Sequence, residues 1–159
     1  MLKDWNKVEQ PTAEEVDKRL ANAKNSLLQQ QIAMKEKKLP VIVLLEGWGA
    51  EGKGSVLGKL IKNIDPRFFK VAVMDEPTEE EKRKPFLYRH FVKIPEAGKF
   101  VFMDSGWMSE VTSQKLSGEL SEEEYKKRIE SIKRFERQLT DNGLSLIHIS
   151  EPTRLALIS

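Results

Sequence analysis

The chain has 159 residues, 39% of them hydrophobic, with 27 Lys and Arg against 25 Asp and Glu and no cysteine. That length suits one domain with a sizeable core, and a chain without cysteine has no disulfides, no thiolate catalysis and no cysteine-held zinc. Near-balanced charge gives no global footprint for nucleic acid, no apolar run is long enough to span a membrane, and Met1-Leu2-Lys3-Asp4-Trp5 lacks a signal-peptide core, so a cytoplasmic setting is expected.

Pro11-Thr12 followed by Glu15 reads as an N-cap with a capping box. Val16, Leu20, Ala23 and Leu27 then recur at helical spacing and predict an amphipathic packing helix to about Lys38, which Leu39-Pro40 ends. Val41, Ile42, Val43, Leu44 and Leu45 are uniformly apolar, as a parallel strand covered on both faces should be. Directly after them comes Glu46-Gly47-Trp48-Gly49-Ala50-Glu51-Gly52-Lys53-Gly54-Ser55. Gly47, Gly52 and Lys53 have the G-x-x-x-x-G-K spacing of a phosphate-binding loop, although Gly54 stands where Ser or Thr is usual and the hydroxyl slides to Ser55. Glycines free the backbone so that successive N–H groups can meet an anion at the start of the next helix, where the dipole is positive.

Val56, Leu57, Leu60, Ile61 and Ile64 give that helix its buried stripe, and Asp65-Pro66-Arg67 stops it. Val71, Ala72, Val73 and Met74 predict a second strand. Thr78 with Glu81 predicts a capping box opening a helix that runs to about Pro95, kinked or started late by Pro85. Gly98 turns the chain into a third strand at Phe100, Val101, Phe102 and Met103, which ends on Asp104. Strands and helices alternating in this way predict an α/β domain with a parallel sheet of about three strands. Its ligands belong at the carboxyl ends of the strands, where the loop, Asp75-Glu76 and Asp104 all fall.

Residues 108–143 are polar and mostly helical, with Ser121 and Glu124 as a cap and Tyr125, Ile129, Ile132, Phe135 and Leu139 along one face. Such an insertion can close as a lid over phosphates or serve as a docking arm. The stretch from Leu144 to Arg154 resembles translated sequencing-adapter DNA and is given no functional role, His148 included, although Leu146, Ile147 and Ile149 favour a strand. The expected divisions are a helical extension at 1–40, a P-loop α/β core at 41–107, a helical lid at 108–143 and the tail at 144–159.

Taken in order, the loop, Asp75-Glu76-Pro77-Thr78-Glu79-Glu80-Glu81, Phe86-Leu87-Tyr88-Arg89, Ile94-Pro95-Glu96-Ala97-Gly98 and Asp104-Ser105-Gly106-Trp107 resemble the polyphosphate kinase 2 family. The resemblance implies a P-loop kinase-like α/β/α fold with a helical lid, moving phosphoryl groups between inorganic polyphosphate and nucleotides such as AMP or ADP with Mg²⁺. Residue by residue it implies phosphate binding by Gly47, Gly52, Lys53, Gly54, Ser55, Arg67 and Arg89, catalytic roles for Lys53, Arg89 and Asp104, and a Mg²⁺ ligand in Asp104. It also implies that further strands and helices are missing from this chain, a homo-oligomer, and no nucleic-acid or membrane partner.

Several of the family's charged groups are replaced here. Gly49 stands in place of an aspartate in the loop, Glu51 in place of a small neutral residue, and Gly58 in place of a lysine. After the third strand, Ser105, Gly106, Met108 and Glu110 stand in place of Arg, Ser, Tyr and Arg. Phosphoryl transfer rests on positioning and on charge stabilisation, and one transition-state arginine can be worth ~10³ to 10⁵ in rate. The pattern resembles the N-terminal domain of tandem polyphosphate:AMP phosphotransferases, in which a fused second domain keeps the intact motifs. The expectation is therefore a degenerate, truncated domain, set against an active polyphosphate:nucleotide kinase and, third, another P-loop nucleoside or nucleotide kinase.

Overall fold

The computed structural model describes residues 11–47, 52–62 and 64–150. Its centre is a parallel sheet of β1 (Val41–Glu46), β2 (Phe69–Ala72), β3 (Phe100–Met103) and β4 (Ser145–Ser150), in the order β2-β3-β1-β4. Around it lie α1 (Ala13–Glu36), α2 (Lys53–Ile61), the single turn α3 (Tyr88–Phe91), α4 (Trp107–Leu116) and α5 (Glu122–Asp141).

The uniform apolar runs of β1 and β3 follow from coverage on both faces. Ile42, Leu44, Val101 and Met103 join Trp107, Val111, Ile132, Phe135 and Leu139 in one core. The alternate residues Val41, Val43, Leu45, Phe100 and Phe102 pack with Met34, Leu57 and Ile64 in the other. A period of two on each strand thus builds three layers, with α4 and α5 on one face of the sheet and α2 with the end of α1 on the other. The 108–143 segment is helical as expected and is anchored in the first core by α5.

Four predicted elements are corrected. A fourth strand joins the expected three, formed by residues 145–150 of the tail, where β4 pairs with all six residues of β1. It is fed by a left-handed Gly143 (φ +81) that lets Gly143 and Leu144 bond back to the carbonyls of Thr140 and Leu139 as α5 ends. The second strand starts two residues early and stops at Ala72, because the Met74 N–H leaves the ladder to bond Asp104 Oδ1 at 3.0 Å. The Thr78–Glu81 capping box forms, with both bonds present, but opens only a 3₁₀ turn at Glu81–Arg83, and helix resumes past Pro85 for four residues. Finally, α1 carries its capping box on Thr12 and Glu15, yet it buries only Gln31 and Met34, while Val16 and Leu20 stay exposed.

No described helix is long and apolar enough to cross a membrane.

Candidate functional site

In a parallel sheet all strands end at one edge, and the chain leaves that edge through loops. Here Glu46 ends β1 and Gly47 follows it, residues from Met74 to Pro77 follow β2, and Ser105 and Gly106 follow β3. Together with Lys53, Arg89, His90 and the first turns of α4 they line an open cavity of about 660 Å³. Lys53 is the first residue of α2, and Gly52 before it sits at φ +113, a region that costs glycine nothing and most side chains a good deal. The expected phosphate position at the α2 N-terminus and the expected lysine therefore fall at the same cavity. Gly54 and Ser55 lie exposed in the first turn of α2. Trp48, Gly49, Ala50 and Glu51, and with them two of the departures noted above, lie outside the described residues.

Arg89 is buried, at 8% exposure, and so is not a surface ion-pair residue. Its Nη2 donates to the backbone carbonyl of Asp75, its Nε has no partner among the described residues, and the side chain reaches the cavity wall. Beside it His90 is 1% exposed, with Nε2 at 3.1 Å from Glu110 Oε2, its ring edge-on to Trp107 and Nδ1 without a partner among the described residues. Trp107 is fully buried and donates Nε1–H to Glu136 at 2.8 Å, which makes it a core aromatic and no stacking platform.

Two expected site residues are placed differently. Arg67 lies in the 3₁₀ turn Pro66–Phe68 before β2, at the amino edge of the sheet, with the four residues of β2, roughly 13 Å of strand, between it and the cavity edge. There it is spent on Asp65, with Nη2 to Oδ2 at 2.6 Å and Nε to both oxygens at 3.1 Å, and these bonds hold the Asp65 carboxyl down to about 2. The structure does not bring Arg67 to the cavity. Asp104 does sit at the carboxyl edge, but it does not line the cavity, since its Oδ1 is turned to β2 as the acceptor of the Met74 N–H.

Sequence reasoning passed over Glu46 and Ser109. Glu46 ends β1, its Oε2 accepts the Ser109 hydroxyl, and its Oε1 is buried without a partner among the described residues. A carboxylate closing an apolar strand immediately before the loop was the available signal. With it, the cavity wall carries Glu46, Asp75, Glu76, Glu110 and Glu119 against the cations Lys53 and Arg89. An anion entering this cavity meets more negative than positive side chains.

Among the described residues no three carboxylate or imidazole groups come together as a metal site. Mg²⁺ needs fewer, because one or two carboxylates suffice when phosphate oxygens and water complete its octahedron. Asp104, whose Oδ1 accepts the Met74 N–H and which does not line the cavity, would have to turn towards it to serve as one such ligand.

The family model described as polyphosphate kinase 2 matches residues 10–151. The sequence is 32% identical over 119 residues to a polyphosphate:AMP phosphotransferase of Pseudomonas syringae pv. tomato, across 72% of this chain and 24% of that protein. It is 28% identical over 130 residues to ADP-polyphosphate phosphotransferase 3 of Rhizobium meliloti, across 82% of this chain and 46% of that one. The fold matches the crystal structure of polyphosphate kinase 2 from Arthrobacter aurescens TC1 with a TM-score of 0.83 at 23% identity, over 89% of this chain and 52% of that chain. This chain thus spans less than half the length of these two curated relatives.

Proposed function

The chain belongs to the polyphosphate kinase 2 family, and from that premise we propose that it is a phosphate-gripping domain of a polyphosphate:nucleotide phosphotransferase that does not itself transfer the phosphoryl group. Lys53 and Arg89, with the backbone N–H groups at Gly52, Gly54 and Ser55, receive condensed phosphate at the carboxyl edge of the sheet. Asp104 is the residue that would hold Mg²⁺, which neutralises phosphate oxygens when bound. Transfer to AMP or ADP belongs to a second domain of the same family in the longer enzyme, and self-association into an oligomer completes the assembly.

The observation that carries this reading is the charge around the cavity. Phosphoryl transfer is accelerated by cations that meet the charge spread over the moving group. Here the wall after β3 offers Ser105, Gly106 and Glu110, and Glu46, Asp75 and Glu76 line the same cavity as Lys53. Grip survives in two cations and a helix N-terminus, while the charge needed at the reacting phosphorus is reversed in sign at Glu110.

The test is to incubate the purified chain with polyphosphate, MgCl₂ and either AMP or ADP, following both nucleotide phosphorylation and polyphosphate binding. Binding without phosphorylated nucleotide is the expected result. Magnesium-dependent formation of ADP or ATP would overturn it and make this chain an active kinase in its own right.

A further inference from the structure

α1 ends in a Schellman motif, with the Leu39 N–H on the Met34 carbonyl at 3.0 Å and the Lys38 N–H on the Lys35 carbonyl at 3.1 Å. Such a motif holds the residue after the C-cap in the left-handed region, where glycine is the norm. Here that residue is Lys38, at φ +53, the one non-glycine residue with a positive φ among those described. It stands just before β1, at the amino edge of the sheet and so opposite the cavity. A Cβ on buried Gly98 would meet Lys35 Cα at 3.5 Å and Lys38 Cα at 3.7 Å, which sets the turn before β3 against the end of α1. Lys99 comes next, and its carbonyl takes the Val41 N–H at the start of β1. Lys99, bonded to Glu96 at 2.6 Å, and the exposed Lys70 of β2 hold the Glu96 carboxyl below its ordinary range. Arg67 and Asp65 cancel at the border of this surface, as do Glu36 and Lys37 in charge. What remains is Lys35, Lys38, Lys70 and Lys99 against Glu96, whereas the cavity edge carries more carboxylates than cations.

We propose that this amino-edge surface is a second docking site for long polyphosphate, holding the run of a chain whose end sits in the cavity. The strands β1 and β2 put the two edges roughly 13–20 Å apart, so a chain of many phosphates reaches both and a very short one does not. Two linked contacts raise affinity although neither becomes tighter by itself. The chemistry of the surface favours a uniform polyanion over nucleic acid. Ammonium groups on flexible stems meet phosphate as point charges. Phe68, the ring beside them, carries Lys35 Nζ at 4.6 Å and Arg67 Cζ at 5.8 Å from its centre and is not free to stack a base. Lys38 fits the same purpose, because its backbone would favour glycine and its charge supplies the reason for lysine. That the bound chain also enters the cavity rests on the phosphate reading above, whereas the amino-edge contact stands without it.

The experiment titrates tripolyphosphate and long-chain polyphosphate, over a series of salt concentrations, onto the unaltered full chain, onto Lys38→Gly combined with Lys70→Gln, and onto Lys53→Ala. In the double variant, affinity for the long chain should fall roughly tenfold and the slope of log K against log salt should flatten by roughly 1–2, the share of two phosphate contacts. Tripolyphosphate, which reaches only one edge, should bind the double variant within about twofold of the unaltered chain. Lys53→Ala should keep a weaker, salt-sensitive binding of the long chain. Lys38→Gly alone relieves a left-handed lysine and should melt no lower than the unaltered chain, yet show about half the change in slope; it decides the matter if the double variant does not fold. An unchanged long-chain affinity in these variants, an equal loss for tripolyphosphate, or displacement of the long chain by single-stranded DNA as readily as by polyphosphate of the same charge would overturn the docking surface. If tripolyphosphate fails to bind while the long chain binds through Lys38 and Lys70, the cavity reading falls and the amino-edge surface stands.

Discussion

Two arginines matched the family's basic positions in the sequence, and the fold treats them oppositely. Arg89 is drawn under the cavity with Nη2 on the Asp75 carbonyl and a buried Nε that has no partner among the described residues. Arg89→Lys would keep the charge but lose the planar fork, and a hydrogen bond to a charged group is worth about 1.5–3 kcal/mol. Polyphosphate affinity should fall by roughly 10- to 100-fold on titration calorimetry; an unchanged affinity would remove Arg89 from the site. Arg67, at the far edge, is bonded to Asp65. Arg67→Ala should leave polyphosphate affinity as it was. It should also return the Asp65 carboxyl from about 2 towards its ordinary 3.8, visible in an NMR titration. The sign follows from a folded-state value below the unfolded one: this pair favours the folded chain above about pH 4 and stops doing so as pH falls towards 2. Arg67 is largely exposed and Asp65 about one-third exposed, so solvent screening keeps the contribution small. Lys53 was legible because the loop spacing fixes it on α2. Arg67 was misread because its role came from the family's pattern, although a residue just before a strand lies at the strand's amino end, away from the edge where ligands of a parallel sheet sit.

At the scale of elements, local chemistry was legible and tertiary cover was not. The capping boxes of α1 and α5 form from the residues that announce them, as both pairs of reciprocal bonds show. The same signature at Thr78 and Glu81 yields one 3₁₀ turn, since Pro85 has no N–H to continue a helix and restricts the residue before it. Likewise, the periodicity of Val16, Leu20, Ala23 and Leu27 is real, but the first half of α1 has nothing to pack on among the described residues. Leu20→Ser should therefore change the stability of this chain by under about 0.5 kcal/mol, whereas Met34→Ala, on the same helix but inside the core, should cost about 2–5 kcal/mol. Chemical denaturation of the two variants checks this. Equal losses would mean that the amino-terminal half of α1 is covered in solution.

The whole molecule turns on a sheet whose central strand is flanked on both sides. Its fold class was readable because β3 is apolar at every position and β1 at every position but its last, as strands of a parallel sheet between two helical layers should be. The fourth strand was readable only as β propensity, since nothing local reveals that Ser145 to Ser150 takes the full edge of β1. If that pairing holds the sheet together, deleting the chain from Leu144 onward should strip β1 of a neighbour and remove a buried leucine from the core. The cooperative melt should be lost or lowered by well over 10 °C, as a loss of several kcal/mol implies for a domain of this size. A melt unchanged by the deletion would show that the sheet does not need β4.

The most direct measurement on the molecule as a whole is titration of polyphosphate onto the unaltered chain and onto Lys53→Ala, each at low and at moderate salt. A cavity that grips condensed phosphate through Lys53 should bind in the unaltered chain, weaken as salt rises, and lose at least roughly tenfold in affinity in the variant while its melting temperature stays put. Equal binding by both chains, or none by either, would contradict a phosphate site at the carboxyl edge of this sheet.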